Sequence, residues 1–238
     1  MNVWQKTLRS LSNLFLRSRC ALCDRAADRE LCPYCQRQVR SHRLKQPQQW
    51  WSGDLPLFVW GRYGGQLKRA IAALKYENRP RLARPLGRWL AECWRETAPI
   101  RDRRLVVVPV PLHPEKRRER GFNQAELLAE SFCRQTRLKL QRRGLRRVKA
   151  TVPQFGLSER DRETNLEAAF DLGPGLKLGM RILLLDDIYT TGATARSAAK
   201  VLRDKGIAVC GIVALATTKG RSELMLPASR KPAQKPLE

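Results

Sequence analysis

The sequence predicts an α/β fold, a mostly parallel sheet with flanking helices, preceded by a small four-cysteine zinc-binding unit. Residues 105–108 and 182–185 are unbroken runs of Leu, Val and Ile, the mark of parallel strands covered on both faces. Segments of helical periodicity alternate with these runs, as they do in sheets built from βαβ units. Ahead of both stand two CxxC pairs, Cys20 with Cys23 and Cys32 with Cys35, separated by eight residues.

Taken in order, residues 1–19 space Leu8, Leu11, Leu14 and Phe15 among Lys6, Arg9, Arg17 and Arg19. That spacing reads as a short amphipathic helix packing on its own protein, with a transit peptide as the alternative; the stretch is too short and polar for a secretory signal. Each CxxC turn aims two sulfurs at one point, so Cys20, Cys23, Cys32 and Cys35 can close a tetrahedral site of four thiolates. Zinc is the expected ion, in a structural role, because four protein ligands leave no open position and a segment with little apolar core gains its folding energy from the metal. An odd total of seven cysteines with two tight pairs favours metal binding in a reducing cytoplasm over a disulfide framework. His42 reads as a surface histidine, and Cys93, Cys133 and Cys210 as core positions.

The polar stretch 46–49 closes a first unit, residues 1–48. A strand follows at 57–60, then a helix with the stripe Leu67, Ile71 and Leu74, and a second helix over 82–94 that stops before Pro99. After the strand at 105–108 comes a helix over 123–132 with Leu127, Leu128 and Phe132 inward. The strand at 182–185 leads to a helix over 194–205 and a further strand over 207–215. These elements make a main domain over 49–220. Pro227, Pro232 and Pro236 among Ser, Ala and Lys mark 221–238 as a disordered tail.

Lys and Arg number 47 against 22 Asp and Glu, a formal charge of +25 that calls for anionic company: nucleic acid, phosphate esters or an acidic membrane face. Residues 101–150 alone hold 15 Lys and Arg against 5 Asp and Glu. No apolar run approaches the ~20 residues of a membrane helix, so the chain is expected to be soluble and cytoplasmic with no membrane span. There is no Walker A sequence, and Gly173-Pro174-Gly175 precedes a strand rather than following one, which makes it a turn. With His42 and His113 alone, histidine triads have little material. Trp50, Trp51, Trp60 and Tyr63 lie among basic residues and serve either as a platform for stacking single-stranded bases or as ordinary core and linker packing.

Ligands of open α/β sheets bind outside the carboxyl ends of the strands, which directs attention to two strand-to-helix junctions. At the first, 183–185 run into Asp186 and Asp187, then Ile188, Tyr189, Thr190, Thr191, Gly192, Ala193 and Thr194. Loop amides, threonine hydroxyls and a positive helix end make a cradle for a phosphate dianion. Two carboxylates beside it need hydroxyls or a divalent cation, conditions that a ribose and Mg²⁺ satisfy. At the second, 105–111 enter a proline-stiffened basic loop with Lys116, Arg117, Arg118 and Arg120 before Gly121. It is either a grip for pyrophosphate or a solvated basic face.

The first junction resembles the phosphoribosyl pyrophosphate (PRPP) motif of type I phosphoribosyltransferases, a hydrophobic strand, two acids, a hydrophobic residue and T-T-G-x-T. The P-x-P-L of 109–112 with the R-G-F-N-Q-A of 120–125 resembles the hallmark of the competence protein F (ComF) family. Arg147, Thr151, Gln154, Leu157 and Ser158, with Arg162 and Asn165, are similar to that family's connecting segment. The resemblance implies a type I phosphoribosyltransferase fold. Thr190, Thr191, Gly192, Ala193 and Thr194 would hold the 5-phosphate, and Asp186 and Asp187 the ribose diol and Mg²⁺. Lys116, Arg117, Arg120 and Gly121 would take the pyrophosphate. Arg147 and Arg162 would belong to a flexible hood between 142 and 165.

Two functions are consistent with that site. In one, the chain is a phosphoribosyltransferase that displaces pyrophosphate from PRPP with a nitrogen nucleophile and acts in DNA uptake, competence or use of external DNA as nutrient. In the other it is a non-catalytic adaptor that senses PRPP or a nucleotide and binds DNA, single-stranded in particular, or a DNA-uptake or DNA-processing protein. The acceptor base and the oligomeric state have no signature in the sequence.

Overall fold

The computed structural model describes residues 19–148 and 169–219. The expected N-terminal helix up to residue 18, the motif positions from Thr151 to Asn165, Arg162 among them, and the tail 221–238 lie outside the described residues.

Helix α1 (Pro33–Arg40) starts on Cys32, whose Sγ accepts from the Cys35 amide at 3.5 Å, and Pro33 takes the first helical position, where its missing N–H costs nothing. Strand β1 (Leu57–Arg62) leads into α2 (Gly65–Tyr76), and a 3-10 turn at Pro80–Leu82 leads into α3 (Ala83–Thr97). Strand β2 (Leu105–Pro109) is followed by α4 (Pro114–Arg120), α5 (Gln124–Thr136), β3 (Lys139–Leu140) and β4 (Leu145–Arg147). Then come β5 (Phe170–Leu172), β6 (Arg181–Tyr189), α6 (Ala193–Asp204) and β7 (Ala208–Thr217).

Five strands form one parallel sheet in the order β1–β7–β6–β2–β3, and β4 with β5 forms a separate antiparallel pair. Strand alternation divides the core in two. Phe58, Trp60, Val107, Leu183, Leu185 and Leu215 face a cluster shared with α2, α3, α5 and the cysteine unit. Val59, Val108, Ile182, Leu184 and Ile212 face one shared with α6 and the β4–β5 pair. Helices on both faces are what the two apolar runs call for. Helices α3 and α5 meet closely at Gly87, where an added Cβ would lie 2.6 Å from the Leu128 carbonyl oxygen.

Four local expectations change, and the two readings of the aromatics are decided in favour of core packing. The strand expected at 182–185 continues to Tyr189, so Asp186 and Asp187 belong to the strand and pairing reaches Tyr189 opposite Thr217. The basic segment expected as a loop is the helix α4, capped by His113, whose Nδ1 accepts from the Glu115 amide at 3.4 Å, and closed by Gly121 at φ 80°. The aromatics do not form a stacking platform. Trp50 and Trp60 are buried, Trp60 stacks on Trp89 at 6.1 Å, and Trp51 meets Trp94 edge-on at 5.6 Å. His42 is not a free surface group either: it packs over the start of α2, where a Cβ on Gly65 would lie 2.6 Å from its Nε2. Cys93 and Cys133 are core positions, whereas Cys210 is only half-buried.

Candidate functional site

Strand order places the site. From β2 the chain moves outward to β3, and from β6 it moves the other way to β7, so the topology switches between β2 and β6. A crevice opens at such a point outside the carboxyl ends of the strands. Pro109 pairs with Leu185, and the Val110 amide donates to the Leu185 carbonyl at 2.9 Å, so the two junctions singled out in the sequence lie side by side.

Asp186 and Asp187 lie near the carboxyl end of β6, at this crevice. Alternation sends Asp187 toward α2 and α5, where it is buried and forms an ion pair with Lys75 of α2. Burial alone would raise its carboxyl, but the Lys75 ammonium and bonds from Asp186 and Gln124 outweigh it and hold Asp187 below the usual carboxylate range. Burial would likewise lower Lys75, and the Asp187 charge turns that shift upward. Asp186 takes the other environment. Burial and the neighbouring Asp187 charge push its carboxyl well above the ordinary range, although one oxygen accepts from the Asp187 amide at 2.8 Å. Arg147 of β4 feels the Asp186 charge from the opposite side, lies over the Phe170 ring at 5.5 Å, and is lowered by its burial. One acid is therefore a compensated anion and the other a carboxyl held toward its neutral form.

Thr190, Thr191 and Gly192 make the turn from β6 into α6. Gly192 adopts φ 82°, a left-handed conformation, and caps α6 with no side-chain bond. The Ala193 amide is met by Thr191 Oγ1 at 3.3 Å, and Arg196 Nη1 donates to the Thr191 carbonyl at 3.0 Å. A left-handed residue followed by helical ones turns successive amides into one concavity, and the first amides of a helix lack intrahelical partners, which together suit an anion. Gly192 is required twice, since a Cβ there would also lie 2.1 Å from the Tyr189 hydroxyl.

On the β2 side, Asn123 caps α5 by accepting from the Ala125 amide at 3.0 Å and ties the loop down by donating to the Val110 carbonyl at 3.0 Å. Gln124, buried at the first position of α5, helps hold the Asp187 carboxyl down and accepts from Arg120 Nη1. Arg120 in turn lies 5.4 Å from the Tyr76 ring, so one chain of contacts links α4, α5, β6 and α2 around Asp187. Arg117 is paired with Glu126 at 3.0 Å, Lys116 is exposed, and Gly121 has open space on its Cβ side. The structure thus gathers Asp186, Asp187, Thr190 to Thr194, Arg120 and Arg147 around the crevice, with Lys116 and Arg117 on the adjoining helix. Lys75 and Gln124 complete the site and were not singled out in the sequence. A groove of about 950 Å³ runs along the flank of α6 beside Leu55 and Phe170 and touches this turn only at Ala193.

The four cysteines form a second centre. Their sulfurs all lie within 4.8 Å of one another, with Cys23 and Cys32 at 3.7 Å. Zn–S bonds of ~2.3 Å at tetrahedral angles separate sulfurs by about 3.8 Å, so the cluster fits a structural zinc site. Bonds from Arg25 bring Cys23 down to about 6, while burial and the neighbouring thiols push Cys35 up. Four thiolates this close require a cation.

Competence protein F of Haemophilus influenzae is 31% identical over 219 residues, 81% of this chain and 94% of that protein. DNA utilization protein YhgH of Escherichia coli K12 is 32% identical over 212 residues, 84% and 90% of the two chains. Competence protein ComFC of Bacillus subtilis is 32% identical over 183 residues, 74% and 72%. Among solved structures, UMP synthase of Leishmania donovani aligns over 63% of this chain and 24% of that one at 21% identity and TM-score 0.36. Adenine phosphoribosyltransferase of Rhodothermus marinus aligns over 63% and 75% at 20% identity and TM-score 0.36. Superpositions that loose carry no further weight. No family model matches the chain. Among the described residues no helix is long and apolar enough to cross a membrane.

Proposed function

Since the chain belongs to the competence protein F family, which includes the DNA utilization proteins, we propose that it is a phosphoribosyltransferase-like protein that binds PRPP with Mg²⁺ and acts in the uptake or use of DNA. The observation that carries this is the turn from β6 to α6 at the switch point: two adjacent carboxylates near the end of the strand, followed five residues later by a left-handed glycine that opens the helix.

In this proposal the amides and hydroxyls of Thr190 to Thr194 take the 5-phosphate, and Asp187 and Asp186 hold the ribose diol, whose hydroxyls donate to them. Arg120, with Lys116 and Arg117 of α4 and the open side of Gly121, meets the pyrophosphate. The Arg117–Glu126 pair is half-exposed and exchanges at little cost. Arg147 meets the ligand from β4. Mg²⁺ bound with the pyrophosphate would neutralise charge developing on the leaving group. In transfer, the anomeric C–O bond breaks with its electron pair leaving on pyrophosphate, and a C–N bond forms to a nitrogen nucleophile that gives up its proton. The protein orients the reactants and compensates charge. Zinc on Cys20, Cys23, Cys32 and Cys35 holds the N-terminal unit and has no part in the reaction, since four sulfurs leave no open position.

Calorimetric titration with PRPP and Mg²⁺ tests the site. Asp187→Asn would orphan Lys75, so Asp186→Asn is the informative variant. With Mg²⁺ and the ribose hydroxyls drawing Asp186 to its ionised form, the variant loses one charged hydrogen bond, ~1.5–3 kcal/mol, and a weakening of about ten- to over a hundredfold is expected. Equal binding by wild type and variant, or none by either, would refute the assignment. Pyrophosphate release over a panel of nucleobases then separates the two functions: base-dependent release makes the chain an enzyme, and binding without release makes it a PRPP-sensing adaptor.

A further inference from the structure

The end of the sheet opposite the crevice carries a feature that the ligand site does not use. Arg101 and Arg103 precede β2, Arg137 and Lys139 stand at the start of β3, Lys177 precedes β6 and Lys205 precedes β7. The order β7–β6–β2–β3 sets these positions in one row. Register confirms it: Ala208 lies opposite Arg181, Arg181 opposite Leu105, and Val106 opposite Lys139. At ~4.8 Å per strand the row is about 15 Å wide. Leu178 ties the turn of Lys177 to that of Lys205, for a Cβ on Gly206 would lie 3.0 Å from Leu178 Cδ2.

All six cations are exposed, and none has an acidic partner among the described residues. The acids at this end are already engaged. Asp102 binds Arg104 at 3.3 Å and Arg181 at 2.5 Å, Asp204 binds Lys200 at 2.7 Å, and Asp54 binds Arg203 at 2.7 Å. Helices α3, α5 and α6 also end here, and each C-terminus carries about half a negative charge, which offsets roughly 1.5 of the six positive charges. About four remain uncompensated, more than helix capping explains.

We propose that this row is a docking surface for the phosphate backbone of nucleic acid, with double-stranded DNA as its preferred form. A membrane-surface segment would pair its basic face with an apolar one, yet Leu178 is the one large apolar side chain exposed in the row among the described residues. A protein partner would call for aromatic anchors around an apolar centre, and the row has none. Single strands gain affinity by stacking on aromatics, and Trp50 and Trp60 are buried. What remains is charge, which favours the duplex with its one phosphate per ~1.7 Å of axis and ignores base sequence. The surface is independent of the proposed PRPP site. Six residue steps along β6 separate Arg181 from Asp187, about 20 Å, so both can be occupied at once.

The test is binding of a labelled mixed-sequence duplex to the full chain over a salt series. Six phosphate contacts predict a log–log slope of roughly −5, and Arg101→Glu/Arg103→Glu/Lys139→Glu/Lys177→Glu should reduce it to about −2 with at least ~100-fold weaker binding at low salt. The same four positions changed to Gln should fall between, with an unaltered thermal transition, which separates lost contacts from lost fold. Asp186→Asn should bind duplex like wild type, so failure at the PRPP site and failure here are read independently. An unchanged slope in the Glu variant, tighter binding of single strands than of duplex, or binding of phosphatidylserine vesicles without binding of duplex would each overturn the proposal.

Discussion

Lys75→Met isolates the energetics of the site from its ligand. The Lys75 side chain is 15% exposed and that of Asp187 is 5% exposed, so the pair is buried, and removing one partner strands a carboxylate. Such losses run to ~3–5 kcal/mol. Protonation of Asp187 sets a ceiling. Bringing a carboxyl of ordinary pKa ~3.9 to its neutral form costs about 4 kcal/mol at pH 7 and about 1.5 kcal/mol at pH 5, at 1.36 kcal/mol per unit. Urea unfolding should therefore find the variant about 3–4 kcal/mol less stable than wild type at pH 7, and only about 1.5 at pH 5. In wild type the pair has the opposite dependence. Asp187 is depressed, so its contribution is present above the unfolded value and lost as pH falls through the lower native one. Lys75 is raised, so its contribution is present below the unfolded value and lost only as pH rises through the higher native one. Between pH 5 and 9 the wild-type pair is flat. Adding Asp187→Asn to Lys75→Met removes the stranded charge and should restore most of the loss, a coupling beyond what independent sites show. A loss under about 1 kcal/mol at pH 7, an equal loss at both pH values, or simple additivity in the double variant would refute the buried pair.

Gly192→Ala places a side chain at φ 82° and against Tyr189, so titration with PRPP and Mg²⁺ should show at least tenfold weaker binding, with ~1–2 kcal/mol of backbone strain in urea unfolding. Gly87→Ala drives a methyl toward the Leu128 carbonyl and Ser131 Cβ between α3 and α5, and should cost ~1–3 kcal/mol of stability while leaving PRPP affinity unchanged. Cys32→Ser removes a sulfur that is both a cluster member and the cap of α1. Metal analysis should find one zinc per wild-type chain and loss of it in the variant, with a lowered thermal transition for both the variant and chelated wild type.

The strands and the cysteine cluster were legible because each has a signal with one physical cause: an apolar run needs cover on both faces, and paired CxxC turns converge on one point. The polar members of the site follow a rule as well. Lys75 stands four residues after Ile71 and eight after Leu67, and Gln124 stands four before Leu128 and eight before Phe132, so each polar group occupies a position of its helix's own buried stripe. A search for apolar residues at that spacing passes over them. A search for the polar interruption finds them, because a long cation or an amide on a core stripe must meet a partner. Here both meet Asp187, itself on the β6 stripe of Leu183 and Leu185, so three stripe violations on three elements converge on one carboxylate. The basic segment 114–120 is the converse case. Its charge suggested a solvated loop, whereas Pro114 at the first position, His113 as cap and Gly121 at the end are the local chemistry of a helix, which charge does not oppose. In this fold functional residues are better sought where a pattern is broken than where charge is dense. By that measure Lys75 is a stronger marker of the site than the arginines of α4.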